Sequence, residues 1–326
     1  MEGMAEILVA VSYLLVTLCA SIALLFLVRL ADRYEPEPWH VLLLAMAWGA
    51  VPAILLSCLM EATVQGPLSM VAGENAAAVT GTIVVAPVVE EVVKGLALLL
   101  VFVLFRLEFD DVLDGMVYGA AVGIGFSFVE DALYFVGALG DAGWSGGVIV
   151  FFLRNVGFIL NHSLFTALTG IGFGLARIFH KSLAARFLWP LAGLGAAVAL
   201  HALHNFLAHF DLPGLTAALI VHWGGGLGLL CLLPPLWALE RRWILQRLHG
   251  EISQERIPPA VAGALPFSGF RSKTMPYATA RRLRPLLVRL AFRLRQREEG
   301  WADPGDRILD DLRGKIRAFF SDQVED

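Results

Sequence analysis

Seven stretches of the chain stay apolar for about 20 residues or more, near residues 7–28, 39–60, 79–105, 112–138, 148–176, 187–209 and 215–239. A helix needs roughly 20 such residues to cross the hydrocarbon core of a bilayer. In hydrocarbon every backbone N–H and C=O must be paired within its own segment, so stretches of this kind can span only as helices. The expected fold class is therefore all-α and polytopic, a bundle of about seven transmembrane helices. Composition agrees: of 326 residues, 57% are hydrophobic and 17% charged, with a mean hydropathy of +0.69. A soluble globule carries about a quarter charged residues. A disulfide-bonded secreted scaffold, a disordered chain and a nucleic-acid-binding domain are disfavoured on the same ground, and no nucleic acid is expected as a partner.

The first run begins behind Glu2 and Glu6 with no basic segment before it, and it is too long for a signal-peptide core. It reads as a retained span. Cys19, Cys58 and Cys231 all lie inside apolar runs, where a thiol behaves as a small hydrophobe.

The net charge of −4 conceals an asymmetry: residues 1–240 balance to −10 and residues 241–326 to +6. The chain divides on this reading into a membrane domain, 1–240, and a basic tail, 241–326. Arg29 and Arg33 follow span 1, Arg106 follows span 3, and Arg177, Lys181 and Arg186 follow span 5, whereas the loops after spans 2, 4 and 6 carry no Lys or Arg. The positive-inside bias places the N-terminus outside and the tail in the cytoplasm of a multi-pass protein of the cell membrane. Glycines at four-residue spacing, Gly115, Gly119 and Gly123 or Gly170 and Gly174, indicate close helix packing.

Against this background the ionisable residues inside the spans stand out, because a charge at bilayer depth costs a few kcal/mol or more. Span 3 carries Glu90, Glu91 and Lys94; span 4 carries Glu130 and Asp131; span 5 carries Arg154, Asn155, Asn161 and His162; span 6 carries His201, His204 and Asn205. At 1.5 Å per residue from the outer face, Glu90 lies roughly 15 Å deep, Glu130 and His201 roughly 12 Å, and His162 roughly 20 Å. Four helices deliver polar groups to one layer. Glu90 and Lys94 are i,i+4 on one face, with Glu91 turned about 100° away. Pro87 weakens the helix one turn before them.

Such a set can activate water, a buried carboxylate acting as general base while imidazole and amide groups orient the water or stabilise an oxyanion. It can equally hold a metal: His162, His201 and a glutamate would make a three-ligand zinc site with an open position. No HExxH motif and no GxSxG elbow is present. Taken singly, the Glu–Lys pair can be a structural ion pair, Arg154 the counterion of a buried glutamate, and Asp131 a solvent-facing neighbour of Glu130. Proton relay in a coupled transporter uses the same residue types, and a non-catalytic scaffold on the same fold is the third alternative.

The motifs in order resemble the PrsW family of intramembrane proteases, relatives of the CAAX prenyl endopeptidases. Glu90-Glu91-x-x-Lys94 is similar to that family's first motif, Phe126-x-x-x-Glu130 to its second, His162 with Phe165-Thr166 to its third, and His201-x-x-x-Asn205 to its fourth. Asp32-Arg33-Tyr34-Glu35-Pro36-Glu37-Pro38-Trp39 resembles its acidic, proline-rich loop. The resemblance runs from about residue 30 to 210. It implies peptide-bond hydrolysis in or beside the membrane, of glutamic or metallo type, on a membrane protein such as a single-span anti-sigma factor cut near the outer half of the bilayer. It implies Glu90 or Glu91 as the base, Glu130 within the catalytic set, His162 and His201 as water-positioning or metal-ligating residues, and Asn205 at the oxyanion. Lys94, Arg154 and His204 would support them, and zinc is the cofactor the metallo alternative would need. Asp131 stands where Asn is frequent, and His204 where an aromatic is common.

Beyond residue 240, residues 253–280 hold Pro258, Pro259, Pro266 and Pro276 and read as a linker. Residues 281–297 mix seven arginines with Leu, Val and Phe, the pattern of a basic amphipathic helix on an anionic lipid surface. Ile308, Leu312, Ile316 and Phe319 or Phe320 are at helical spacing in a candidate docking helix, 305–320.

Overall fold

A computed structural model describes residues 2–264, 275–301 and 307–321, and every regular element among them is helical. In chain order these are α1 (Glu2–Ala31), α2 (Trp39–Trp48), α3 (Ile54–Ala72), α4 (Glu74–Thr80), α5 (Ala86–Leu104), α6 (Val112–Phe152), α7 (Asn161–Ile178), α8 (Leu183–Ala208), α9 (Asp211–Ser253), α10 (Tyr277–Glu298) and α11 (Arg307–Ser321). Five helical segments are long and apolar enough to cross a membrane: Leu8–Ala31, Trp39–Ala72, Val112–Ile178, Leu183–Ala208 and Asp211–Ser253. The chain is an all-helical, multi-pass membrane protein.

The helices run longer than the apolar stretches suggest. The segment expected as a loop between the second and third stretches is helical through α3 and α4 apart from Gly73, whose φ of 81° lies in the left-handed region open to glycine. The one expected between the fourth and fifth is the later part of α6, bent at Gly143 with φ 61° and ψ −154°. α9 continues 14 residues past the last stretch, from 239 to Ser253.

Three π-helical turns interrupt the bundle, at Gly49–Ala53, Gly81–Val85 and Leu153–Gly157. The second has a visible cause. The Ala86 N–H bonds back to Gly81 O, and the next residue, Pro87, has no N–H to offer. The Thr82 carbonyl is thereby left without a helical donor, and the Asn205 side-chain amide donates to it at 2.9 Å.

The chain forms two units: Met1–Asp32 with Glu37–Leu232, and Arg33–Pro36 with the residues from Leu233 on. In the first, α6 is buried from Val112 to Phe126 and packs there against α7 through bare backbone: a Cβ at Gly115 would overlap the Gly170 carbonyl, and one at Gly123 the His162 carbonyl. α6 starts at a capping box in which the Asp111 carboxylate accepts from Leu113 N and the Asp114 carboxylate from Asp111 N.

The second unit has its own apolar core. Ile244 and Leu248 of α9, Ile257, Leu283, Leu287, Leu290 and Phe292 of α10, and Leu309, Leu312 and Ile316 of α11 are all buried there. The apolar face of α10 thus lies within its own unit, with Arg281, Arg282 and Arg289 exposed and its other arginines partly exposed. Residues 265–274, including Pro266 of the expected linker, lie outside the described residues.

Candidate catalytic centre

Within the first unit, α5, α6, α7 and α8 bring the ionisable residues of four separated motifs to one place. Lys94 is its hub. The Lys94 Nζ, fully buried, donates to Glu90 Oε2 at 3.0 Å and to Glu91 Oε1 at 2.9 Å, and stands 2.8 Å from His162 Nδ1. It also rests 3.6 Å from the centroid of the Phe126 ring, whose face attracts a cation.

Two branches leave this hub. Along the first, Glu91 Oε1 lies 3.1 Å from His201 Nδ1, and Glu91 Oε2 accepts from Thr166 Oγ1 at 3.2 Å. Along the second, His162 Nε2 lies 2.8 Å from Glu130 Oε2, and Arg154 pairs with both Glu130 and Asp131. The imidazoles of His162 and His201 meet edge to face at 5.1 Å, and Phe165 stacks on His201. A buried charge needs this density of partners to persist in an apolar bundle.

The two adjacent glutamates differ in access. A cavity of about 640 Å³ opens beside the cluster; Glu90, Glu130, Arg154, His162 and His201 reach its wall, and Glu91 does not. Glu91 is sealed in the helix interface at 0% exposure. Their separation around α5 leaves one carboxylate for a molecule entering the cavity and the other for the protein.

Every residue anticipated for the site is in or around this cavity, but not all in one cluster. Asn205 and His204 line the cavity without joining the carboxylate network: Asn205 donates to Thr82 O, and His204 Nε2 lies 2.9 Å from Asn161 Nδ2 with its ring against Phe158. Asp131 does not face solvent; it is buried and paired with Arg154, which is the counterion of a glutamate as expected but of two carboxylates. Glu61 of α3 was missed. It lines the cavity with Gln65, and the only signal for it was an acidic residue one position beyond an apolar stretch that the helix outruns.

Glu90, Glu91, His162 and His201 each offer one donor atom, all within 4.8 Å of one another. Two carboxylate oxygens and two imidazole nitrogens are the donor chemistry of zinc. Four carboxylates here face two permanent cations, Lys94 and Arg154, so the centre has room in its charge balance for a divalent ion. The residues present fit such an ion, with the condition that the Lys94 ammonium, which stands among the same donors, must move aside for it.

A family profile described as "PrsW family intramembrane metalloprotease" matches residues 37–239, a span that contains every member of the cluster. Among curated proteins, the chain is 27% identical over 249 residues to a protein named Protease PrsW from Geobacillus kaustophilus, covering 74% of this chain and 95% of that one. It is 29% identical over 189 residues to the Protease PrsW of Bacillus subtilis, covering 57% and 78%. No solved structure matches the chain.

Proposed function

The chain belongs to the PrsW family of intramembrane metalloproteases, and on that premise we propose that it cleaves a peptide bond of a membrane protein from the cavity bounded by Glu90, Glu130, His162 and His201. The observation that carries this reading is the split between the two glutamates: Glu90 on the cavity wall, Glu91 sealed behind it. Glu90 is the group able to take a proton from a water in the cavity, and so the general base. Glu91 holds Lys94 and His201 in position. His162, between Lys94 and Glu130, orients the water or the scissile carbonyl, and Arg154 keeps Glu130 in place by pairing with it.

When a zinc-type ion is bound, Glu91, His162 and His201 would hold it, leaving Glu90 as the base, and it would supply Lewis-acid polarisation of the carbonyl. The Lys94 ammonium, now bonded to Glu90 and Glu91, would have to leave the donor set for that ion. Asn205, on the cavity wall, would serve a developing oxyanion only by releasing Thr82 O.

The full arrangement is seven passages. The 67 residues from Val112 to Ile178 would extend about 100 Å as helix, enough for two crossings of a core about 30 Å thick. α5, 19 residues long, is one more despite its three charges. With an outer N-terminus and a cytoplasmic tail, the cavity opens toward the outer half of the bilayer, which suits a single-span substrate of the anti-sigma-factor kind. The exposed Arg281, Arg282 and Arg289 of α10 favour association with anionic lipid at the inner surface by charge alone, since Leu283, Leu287 and Leu290 are already buried.

The test is co-reconstitution with a single-span membrane protein and mapping of the products by mass spectrometry. Two fragments cut within the outer half of the span are expected. A substrate left intact under conditions where it is bound, or cut only in its water-exposed domains, would overturn the proposal.

A further inference from the structure

A second groove, of about 530 Å³, lies on the second unit and has no part in the centre described above. One face of α9 from Pro234 to His249 lines it, closed on the side by Arg33 and Tyr34. The chemistry changes in order along that face. Pro234, Trp237 and Ala238 come first, then Arg241 and Arg242, then Leu245, Gln246 and His249. Arg33 adds a third guanidinium at the middle, 5.8 Å from the Tyr34 ring centroid and 5.9 Å from that of Trp237. The three arginines are exposed, and among the described residues no carboxylate lines the groove.

The position of this gradient on α9 is informative. Large apolar side chains on the helix are exposed at Ile220, Leu227, Leu230 and Leu239, and the next exposed residues are Arg241 and Arg242. A helix that exposes leucine up to one turn and arginine from the next marks the border between hydrocarbon and water, and Trp237 is the residue type that settles at that border. From Pro234 to Arg241 the rise is about 10 Å, comparable with the interfacial layer of about 5–8 Å on each face of a bilayer.

We propose that this groove binds the headgroup of an anionic phospholipid, with its phosphodiester oxygens on Arg33, Arg241 and Arg242 and the first methylenes of its chains along Pro234, Trp237 and Ala238. Arginine forks suit phosphate oxygens bidentately. A free phosphate would meet the same arginines but leave the apolar end of the groove unused, in water, where exposed pairs are worth little. The amphiphile uses both ends. The proposal rests on the topology given above, and it assigns retention of an individual lipid headgroup to this groove, apart from the charge-only association of α10 with the membrane surface.

The full-length protein, delipidated in mild detergent, is titrated with phosphatidylglycerol or phosphatidylcholine and the bound lipid read by native mass spectrometry. Phosphatidylglycerol should be retained on the order of 10-fold more tightly. Combined Arg33→Gln, Arg241→Gln and Arg242→Gln should erase the preference, Trp237→Ala should weaken retention of both lipids, and Arg281→Gln with Arg282→Gln and Arg284→Gln should leave it unchanged. Equal retention of the two lipids, survival of the preference in the groove variant, its loss in the α10 variant, or displacement of the lipid by inorganic phosphate at equal concentration would each overturn the proposal. None of these readouts depends on proteolysis, so failure here and failure of the protease reading are separable.

Discussion

The two units of the molecule are built with opposite polarity. In the first, Leu15, Leu55, Leu188 and Leu227 are exposed, while Glu91, Lys94 and His201 are buried. In the second, Leu283, Leu287 and Ile316 are buried, and the arginines of α10 are at least partly exposed. Each arrangement answers the medium around it. Hydrocarbon imposes no cost on an outward leucine and a heavy one on an outward charge, so the first unit gathers its charges inward and must pair them. Water reverses both terms. The consequence for function is that the first unit's interior is polar, partnered and reached by a cavity, which is what hydrolytic chemistry inside a bilayer requires.

The comparison is broken most severely by removing one charge of the inner network. Lys94→Met leaves Glu90 and Glu91 without their shared cation and should cost about 3–5 kcal/mol in reversible unfolding from detergent micelles. A loss below about 1 kcal/mol would mean the network is not a unit. In the second unit the equivalent damage is apolar: Leu287→Ala should cost about 2–4 kcal/mol by cavity formation, read in the same unfolding assay. Insensitivity there would mean the α10 core is not formed in solution.

A smaller effect joins packing to the centre. Gly123→Ala drives a methyl group into the His162 backbone and should cost about 1–3 kcal/mol. It should also lower turnover in proteoliposomes by displacing His162; unchanged turnover would show that the α6–α7 contact does not position the histidine.

These positions also separate what residue spacing alone determines from what the packing of helices decides. Glu90 and Lys94 declare themselves through i,i+4 spacing, and the meeting of Glu130, His162 and His201 follows from counting residues along antiparallel helices. The access of Glu90 and the sealing of Glu91 are not legible, because a 100° separation does not say which face of α5 meets the cavity. The bond from Thr166 to Glu91 and the place of Glu61 on the cavity wall were not legible for a related reason: both depend on which helices become neighbours, not on spacing within one. The π turn at Gly81–Val85 was half legible, since Pro87 announces a weakened helix but not the Asn205 amide that repairs it. For α10, one amphipathic pattern serves both a lipid surface and a private core, and periodicity does not distinguish them.

A pH dependence sharpens the contrast at the edge of the first unit. Burial, with Asp114 and Asp32 nearby, pushes the Glu37 carboxyl well above its usual range in the loop before α2. The folded state therefore holds this proton more tightly than the unfolded state does. The stability tied to it is present below the ordinary carboxylate range and is lost as pH rises through the raised value. Glu37→Gln should match the parent at about pH 4 and melt above it at about pH 8, where the unsubstituted carboxyl ionises freely in the unfolded chain but only at a cost in the folded one. An identical shift at both pH values would contradict this cause. The smallest effect is expected in water: Lys315 pairs with Asp311 at 2.7 Å, both more than half exposed, and Lys315→Ala should change stability by about 0.5 kcal/mol or less.

The most direct measurement is the cleavage rate of a co-reconstituted single-span substrate by Glu90→Gln, with the melting transition recorded on the same preparation. The account predicts a fall of about 100-fold or more with the fold retained, the loss expected when a general base is removed. Cleavage by folded Glu90→Gln at the parental rate would contradict it.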